Sequence, residues 1–178
     1  MSFKERWQDI RDELLRPGVL LTFFLVVALD HLSKYAIRAT LQVGEEIVVL
    51  PGFFKLTLVY NPGAAFGLFA TLPDVLRRLV LALVTIGAVF FVIYYLINDV
   101  KGDRYSRLAL AAILGGAAGN VVDRFAFDAV VDFLDFHVST YHWPAFNVAD
   151  SSIFIGVMVL IIRMLLRGKV CAGCEGAC

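Results

Sequence analysis

Five aspartates, Asp30, Asp123, Asp132, Asp135 and Asp150, sit beside long apolar runs in a chain of 178 residues that is 60% hydrophobic. A carboxylate at the edge of hydrocarbon is costly to keep, so it marks a functional site by default. Two blocks, Val130-Val131-Asp132-Phe133 and Phe146-Asn147-Val148-Ala149-Asp150, bring such groups to the mouth of the apolar region from different segments. Two carboxylates close together in a poorly solvated site cannot both ionise easily, so they share a proton. The ionised member can take a proton from water while its protonated partner hydrogen-bonds a carbonyl. That arrangement suits hydrolysis of a peptide bond without a nucleophilic side chain. The pair titrates as a unit, and sequence does not say which member holds the proton.

Rival chemistries find less support. His137 and His142 are five apart with no glutamate between them, unlike the H-E-x-x-H helix of a zinc protease. Ser151 and Ser152 follow Asp150, and Ser33 precedes Lys34, but no nucleophile turn surrounds them. Cys171, Cys174 and Cys178 form C-x-x-C-x-x-x-C without a fourth ligand. They read as free thiols on a flexible tail in a reducing compartment. No metal is expected at the site. Asp30 and Lys34, four apart on one helix face, can simply pair with each other, and Asp123 with Arg124 can anchor a helix end. Gly115, Gly116 and Gly119, with Ala111, Ala112 and Ala118, fit close helix packing better than phosphate binding.

The elements that must position these groups are membrane spans. Only 18% of residues are charged and mean hydropathy is +0.78, against about a quarter charged in an ordinary soluble domain. A net charge of zero argues against a nucleic-acid partner. Residues 79–97 run nineteen positions without a charge, close to the roughly 20 that cross a bilayer. Residues 18–39, 108–124 and 149–166 are the other three spans, polar where the first and third end and where the fourth begins. Residues 1–17 place Phe3, Trp7, Ile10 and Leu14 at helical spacing, an amphipathic helix for the membrane surface. Residues 42–69 change character: Ile47 to Leu50 and Phe53 to Tyr60, broken by Pro51-Gly52, predict two short strands joined by a turn. The expected fold is therefore an all-α membrane protein with a small β element. It has four spans, a β platform between the first two, and a single domain over 1–170 before the cysteine tail, 171–178.

Orientation follows from the flanks. Lys4, Arg6, Arg11 and Arg16 precede the first span, and Lys101, Arg104 and Arg107 link the second to the third. Arg163, Arg167 and Lys169 close the fourth, whereas 125–149 holds neither Lys nor Arg. Both termini are expected in the cytoplasm, despite Arg38, Lys55, Arg77 and Arg78 on the other side. At 1.5 Å per residue, Asp30 then lies about 18 Å along the first span and Asp123 about 22 Å along the third. Every conspicuous polar group converges on the outer face.

Five blocks occur in order: Asp30-x-x-x-Lys34, Asn61-Pro62-Gly63-Ala64-Ala65-Phe66, Gly119-Asn120-x-x-Asp123-Arg124, Val130-Val131-Asp132-Phe133 and Phe146-Asn147-x-Ala149-Asp150. Together they resemble lipoprotein signal peptidase (signal peptidase II), a family of bacterial inner-membrane aspartyl proteases, from about residue 18 to 166. The resemblance implies cleavage of diacylglyceryl-modified prolipoproteins just before the lipidated cysteine, with no cofactor. It implies Asp132 and Asp150 as the catalytic pair. It gives Asn61, Gly63, Phe66, Asn120, Arg124, Asn147 and Ala149 supporting or substrate-binding places, with Asp30 and Lys34 behind them. Asp123 competes for a catalytic role; Asp132 is preferred because Asp123 has an adjacent arginine and lies in a packed helix. Membrane lipids and peptide-like inhibitors such as globomycin are the other expected partners. His31 stands where the family commonly has glutamine, and Asp135 is an additional carboxylate. Two other classes compete. A proton- or ion-coupled transporter would use the same carboxylates as a relay through the membrane, and a membrane scaffold would need no aspartate pair.

Overall fold

Long apolar runs fix four helices in the computed structural model, which describes residues 8, 11–12, 14–63, 69, 71–98 and 103–172. They are α1 (Pro17–Thr40), α2 (Asp74–Asn98), α3 (Arg104–Phe127) and α4 (Val148–Ala172). All four are long and apolar enough to span a membrane. Their ends follow local rules. Pro17 opens α1, where its missing N–H has no helical partner to lose. Asp103 caps α3, accepting from the Tyr105 amide at 3.2 Å and the Ser106 hydroxyl at 2.6 Å. That helix stops at Asp128, which takes the left-handed conformation at φ 56°. α2 begins earlier than expected, at Asp74, whose carboxylate pairs with Arg77 at 2.7 Å in the first turn.

α3 is the central helix, and its small residues explain why. A Cβ on Gly115 would stand 2.9 Å from the Phe23 carbonyl of α1, and one on Gly116 would stand 2.5 Å from the Ala149 carbonyl of α4. Gly156 of α4 comes equally close to Ala109 of α3. Close backbone approach of this kind is how helices associate where hydrocarbon offers no hydrophobic gain. α2 stays peripheral, with Leu83, Phe90 and Phe91 among many exposed apolar side chains. Such surface is normal against lipid tails.

A four-stranded antiparallel sheet closes one end of the bundle, in the order β1 (Glu46–Leu50), β2 (Phe54–Asn61), β3 (Val130–Val138), β4 (Tyr141–His142). The platform expected over 42–69 supplies only the first two strands. The other two come from the link between α3 and α4, for which the sequence predicts no strand. An isolated hairpin is marginal in water, and β3 gives β2 the partner it needs. Ile37 of α1 and Leu41, its C-cap, pack with Leu58, Val131 and Phe133 to weld the sheet to the bundle. Of the expected surface helix, Phe3, Trp7 and Ile10 lie outside the described residues. Leu14 is helical and packs on the Val92–Leu110–Leu160 cluster at the opposite end. The backbone of α4 runs to Ala172, and Cys174 and Cys178 of the expected tail lie outside the described residues.

Candidate active site

The antiparallel register sets Asn61 opposite Val130 and Val59 opposite Asp132. That brings the end of β2 against the start of β3, and the Asn61 amide donates to Asp132 Oδ2 at 3.0 Å. Asn61 Oδ1 meanwhile accepts from the Gly63 amide at 3.0 Å, the local turn its residue type favours. On the far side, Asn147 Nδ2 donates to Asp132 Oδ1 at 2.7 Å. Both oxygens of Asp132 are thus held by amides, and the residue is 2% exposed.

Asn147 also starts α4. Its Oδ1 accepts from the Asp150 amide at 2.9 Å, satisfying one of the orphan donors of the first turn. Asp150 is thereby fixed at that helix end, and Asn120 Nδ2 of α3 donates to its Oδ1 at 2.8 Å. Asn120 in turn is oriented by Lys34, whose Nζ reaches its Oδ1 at 3.1 Å. The Lys34 ammonium has three donors and spends them on Asp30 at 2.7 Å, Asp123 at 2.8 Å and Asn120. Asp30 accepts the Ala149 amide at 2.9 Å, and Asp123 accepts the Val131 amide at 3.0 Å. One buried cation therefore ties α1, α3, α4 and β3 together.

The expected Asp123–Arg124 pair does not form. Asp123 turns inward to Lys34, while Arg124 faces a cavity of about 790 Å³. Its guanidinium makes only long contacts, 3.4 Å to the Gly63 carbonyl and 3.5 Å to that of Asn120, and its buried Nε has no partner. Asp132, Asp150, Asn61, Gly63 and Asn120 line the same cavity. Asp30, Lys34, Asp123, Asn147 and Ala149 lie behind it, buried. Phe66 lies outside the described residues. Trp143, Pro144 and Ala145 add a stretch of wall that the sequence did not single out, and Ile153, Phe154 and Val157 of α4 line the cavity as well. The Trp-Pro pair between two motif blocks was the available signal for that wall.

Burial is the main reason the Asp132 carboxyl is pushed up from 3.8 to about 7, with the neighbouring Asp150 charge adding to it. The Asn61 and Asn147 amides and the Lys34 charge pull the other way. A buried carboxyl beside a second one is biased toward its protonated form, the form a general acid needs. Serine chemistry has no footing. Ser151 lines the cavity, but its hydroxyl donates to the Asn147 carbonyl at 2.9 Å, and Ser152 donates to Val148.

Comparison with known proteins identifies the family. The family model described as Signal peptidase (SPase) II matches residues 22–166. A lipoprotein signal peptidase of Syntrophus aciditrophicus is 42% identical over 150 residues, 84% of this chain and 93% of that one. Its counterpart in Burkholderia pseudomallei is 48% identical over 143 residues, covering 80% and 84%. Among solved structures, a bacterial membrane enzyme determined by the in meso method at 2.3 Å superposes with a TM-score of 0.75 and 33% identity, over 85% of this chain and 89% of that one.

Proposed function

Since the chain belongs to the signal peptidase II family, we infer that it is a membrane protease removing the signal peptide from prolipoproteins, with Asp132 and Asp150 as its acid–base pair. One observation carries the assignment of the pair. Both carboxylates border one cavity, and a single side chain, Asn147, is hydrogen-bonded to Asp132 and to the Asp150 backbone.

A signal peptide is itself an apolar helix in the bilayer, so its scissile bond meets the site where the apolar wall gives way to the carboxylates. The ionised carboxylate takes a proton from water as the oxygen adds to the scissile carbonyl. The protonated partner donates to the carbonyl oxygen. As the tetrahedral intermediate collapses, one of its hydroxyls returns a proton to the partner carboxylate, the C–N bond breaks, and the amine leaves with the proton first taken from water, so the pair ends as it began. Asn61, Asn120 and Asn147 hold the carboxylates in place. Arg124, with donors to spare, steadies a substrate carbonyl. The diacylglyceryl chains lie along Ile153, Phe154 and Val157, which sets the cut just before the lipidated cysteine. Peptide-like inhibitors such as globomycin compete for this cavity. The Lys and Arg excess near both termini supports a cytoplasmic location for them in a bacterial inner-membrane protein, with the sheet and cavity on the outer face.

Ion transport finds no support. The relatives are peptidases, and no Asp, Glu, Lys or Arg occurs in 18–29, 79–97, 108–122 or 151–162 to carry a relay through the bundle. The test is cleavage of a purified diacylglyceryl-prolipoprotein. Asp132→Asn and Asp150→Asn should insert and fold without loss of stability yet leave the substrate intact. Full cleavage by Asp150→Asn would overturn the assignment.

A further inference from the structure

A second group of potential ligands stands on the sheet, outside the cavity. Asp135 and His137 are two apart on β3 and so share one face, and the register sets His137 opposite His142 of β4. Directly opposed residues of an antiparallel pair bring their side chains together, and here the imidazoles stack with centroids 4.9 Å apart and planes at 15°. His142 Nδ1 lies 2.9 and 3.1 Å from the two Asp135 oxygens. His137 Nδ1 lies 3.9 Å from Asp135 Oδ1, is buried, and has no hydrogen-bond partner. A buried ring nitrogen left unpaired is costly and needs an explanation.

We propose that Asp135, His137 and His142 bind a divalent transition cation of the zinc class, pinning β4 to β3. One donor atom from each lies within 4.8 Å of the others. Two imidazoles and a carboxylate are a donor set such ions accept, with water in the fourth position. Bonds of about 2.0–2.1 Å draw donors to about 3.3 Å apart, and the His142 side chain, 44% exposed, is free to swing that far. The orphan nitrogen of His137 then gains its partner. Lys55 is the competing cation, 3.8 Å from Asp135 Oδ2. It also pairs with Glu46, so it keeps a counter-ion when the metal takes Asp135. The pinned hairpin leads straight into Trp143, whose amide donates to the Phe136 carbonyl at 2.8 Å, so the ion stiffens one cavity wall.

The test is titration of the full chain in detergent with Zn²⁺ at neutral pH, by calorimetry, on a background of Cys171, Cys174 and Cys178→Ser that removes thiol ligands. One equivalent should bind, and backbone amides of β3 and β4 should exchange more slowly once it does. His142→Ala should weaken binding by more than the roughly tenfold that loss of an outer partner costs, with melting in chelator unchanged. Asp135→Asn should weaken it similarly. No saturable binding on the thiol-free background, or equal affinity in His142→Ala, overturns the proposal.

Discussion

Asn147 Nδ2 sits 2.7 Å from Asp132 Oδ1, while the other end of the same amide caps the helix that carries Asp150. The strand-borne and helix-borne carboxylates thus share one positioning group. Asn147→Ser separates its two tasks. Serine still caps the helix but does not reach Asp132. Stability should fall by about 1–3 kcal/mol because the buried Asp132 and Val131 oxygens lose a donor, and turnover should fall steeply; cleavage close to parental rates would show that Asp132 needs no such restraint. Asn147→Ala should add the loss of the cap, about 1 kcal/mol.

Lys34 supplies the only side-chain cation in contact with Asp30 and Asp123 among the described residues, and all three are almost fully buried. Lys34→Met leaves two buried anions without compensation. The expected cost is about 3–5 kcal/mol, the usual penalty for removing one partner of a buried pair. Thermal unfolding in detergent measures it. Adding Asp30→Asn and Asp123→Asn should restore much of the loss, and failure to do so would mean that Lys34 acts by packing.

Asp132 gives a pH dependence whose sign follows from its surroundings. Its folded-state pKa, about 7, lies above its ordinary value of 3.8, so folding favours the protonated form. The contribution to stability is complete below pH 3.8 and is lost as pH rises through about 7. Asp132→Asn should remove that decline, seen as a flatter melting profile between those limits. In the parent, kcat should fall on the alkaline side of about 7 as the pair loses its shared proton.

Helix spacing around α3 offers a test with its own control. A Cβ on Gly116 would stand 2.5 Å from the Ala149 carbonyl, and one on Gly119 2.5 Å from Asp30 Oδ2, which Lys34 holds in place. Either Gly→Ala change should cost about 1–3 kcal/mol through overpacking, and should slow cleavage by displacing the start of α4. Gly87 on α2 has nothing within 4 Å, so Gly87→Ala should be neutral or stabilising by about 0.5–1 kcal/mol. Equal effects at Gly87 and Gly116 would refute the packing argument.

The four spans were readable because hydrocarbon tolerates few charges, and that demand is written as composition over some twenty positions. The five motif blocks carried the family. β3 was harder to see. Asp132, Asp135 and His137 interrupt its apolar pattern, and its partner β2 lies far back in the chain, where no local signal records the pairing. Register alone brings Asn61 to Asp132. Asp123 misled for a related reason: Arg124 is its neighbour in sequence, but a helix turns adjacent side chains about 100° apart, and Lys34 on another helix reaches it instead. Asp30 and Lys34 were expected to pair and do, at 2.7 Å, yet their bonds to Ala149 and Asn120 depend on helix packing that spacing does not encode.

Phe154 and Ile155 belong at once to the cavity lining and to the exposed apolar flank of α4. On the proposed function, a lipid-tethered substrate diffusing in two dimensions would reach the site by sliding sideways. Encounter frequency then scales with molecules per unit area of membrane and not per litre of solution. In micelles the apparent KM should rise with detergent at fixed enzyme and substrate, because each added micelle dilutes the surface on which they meet.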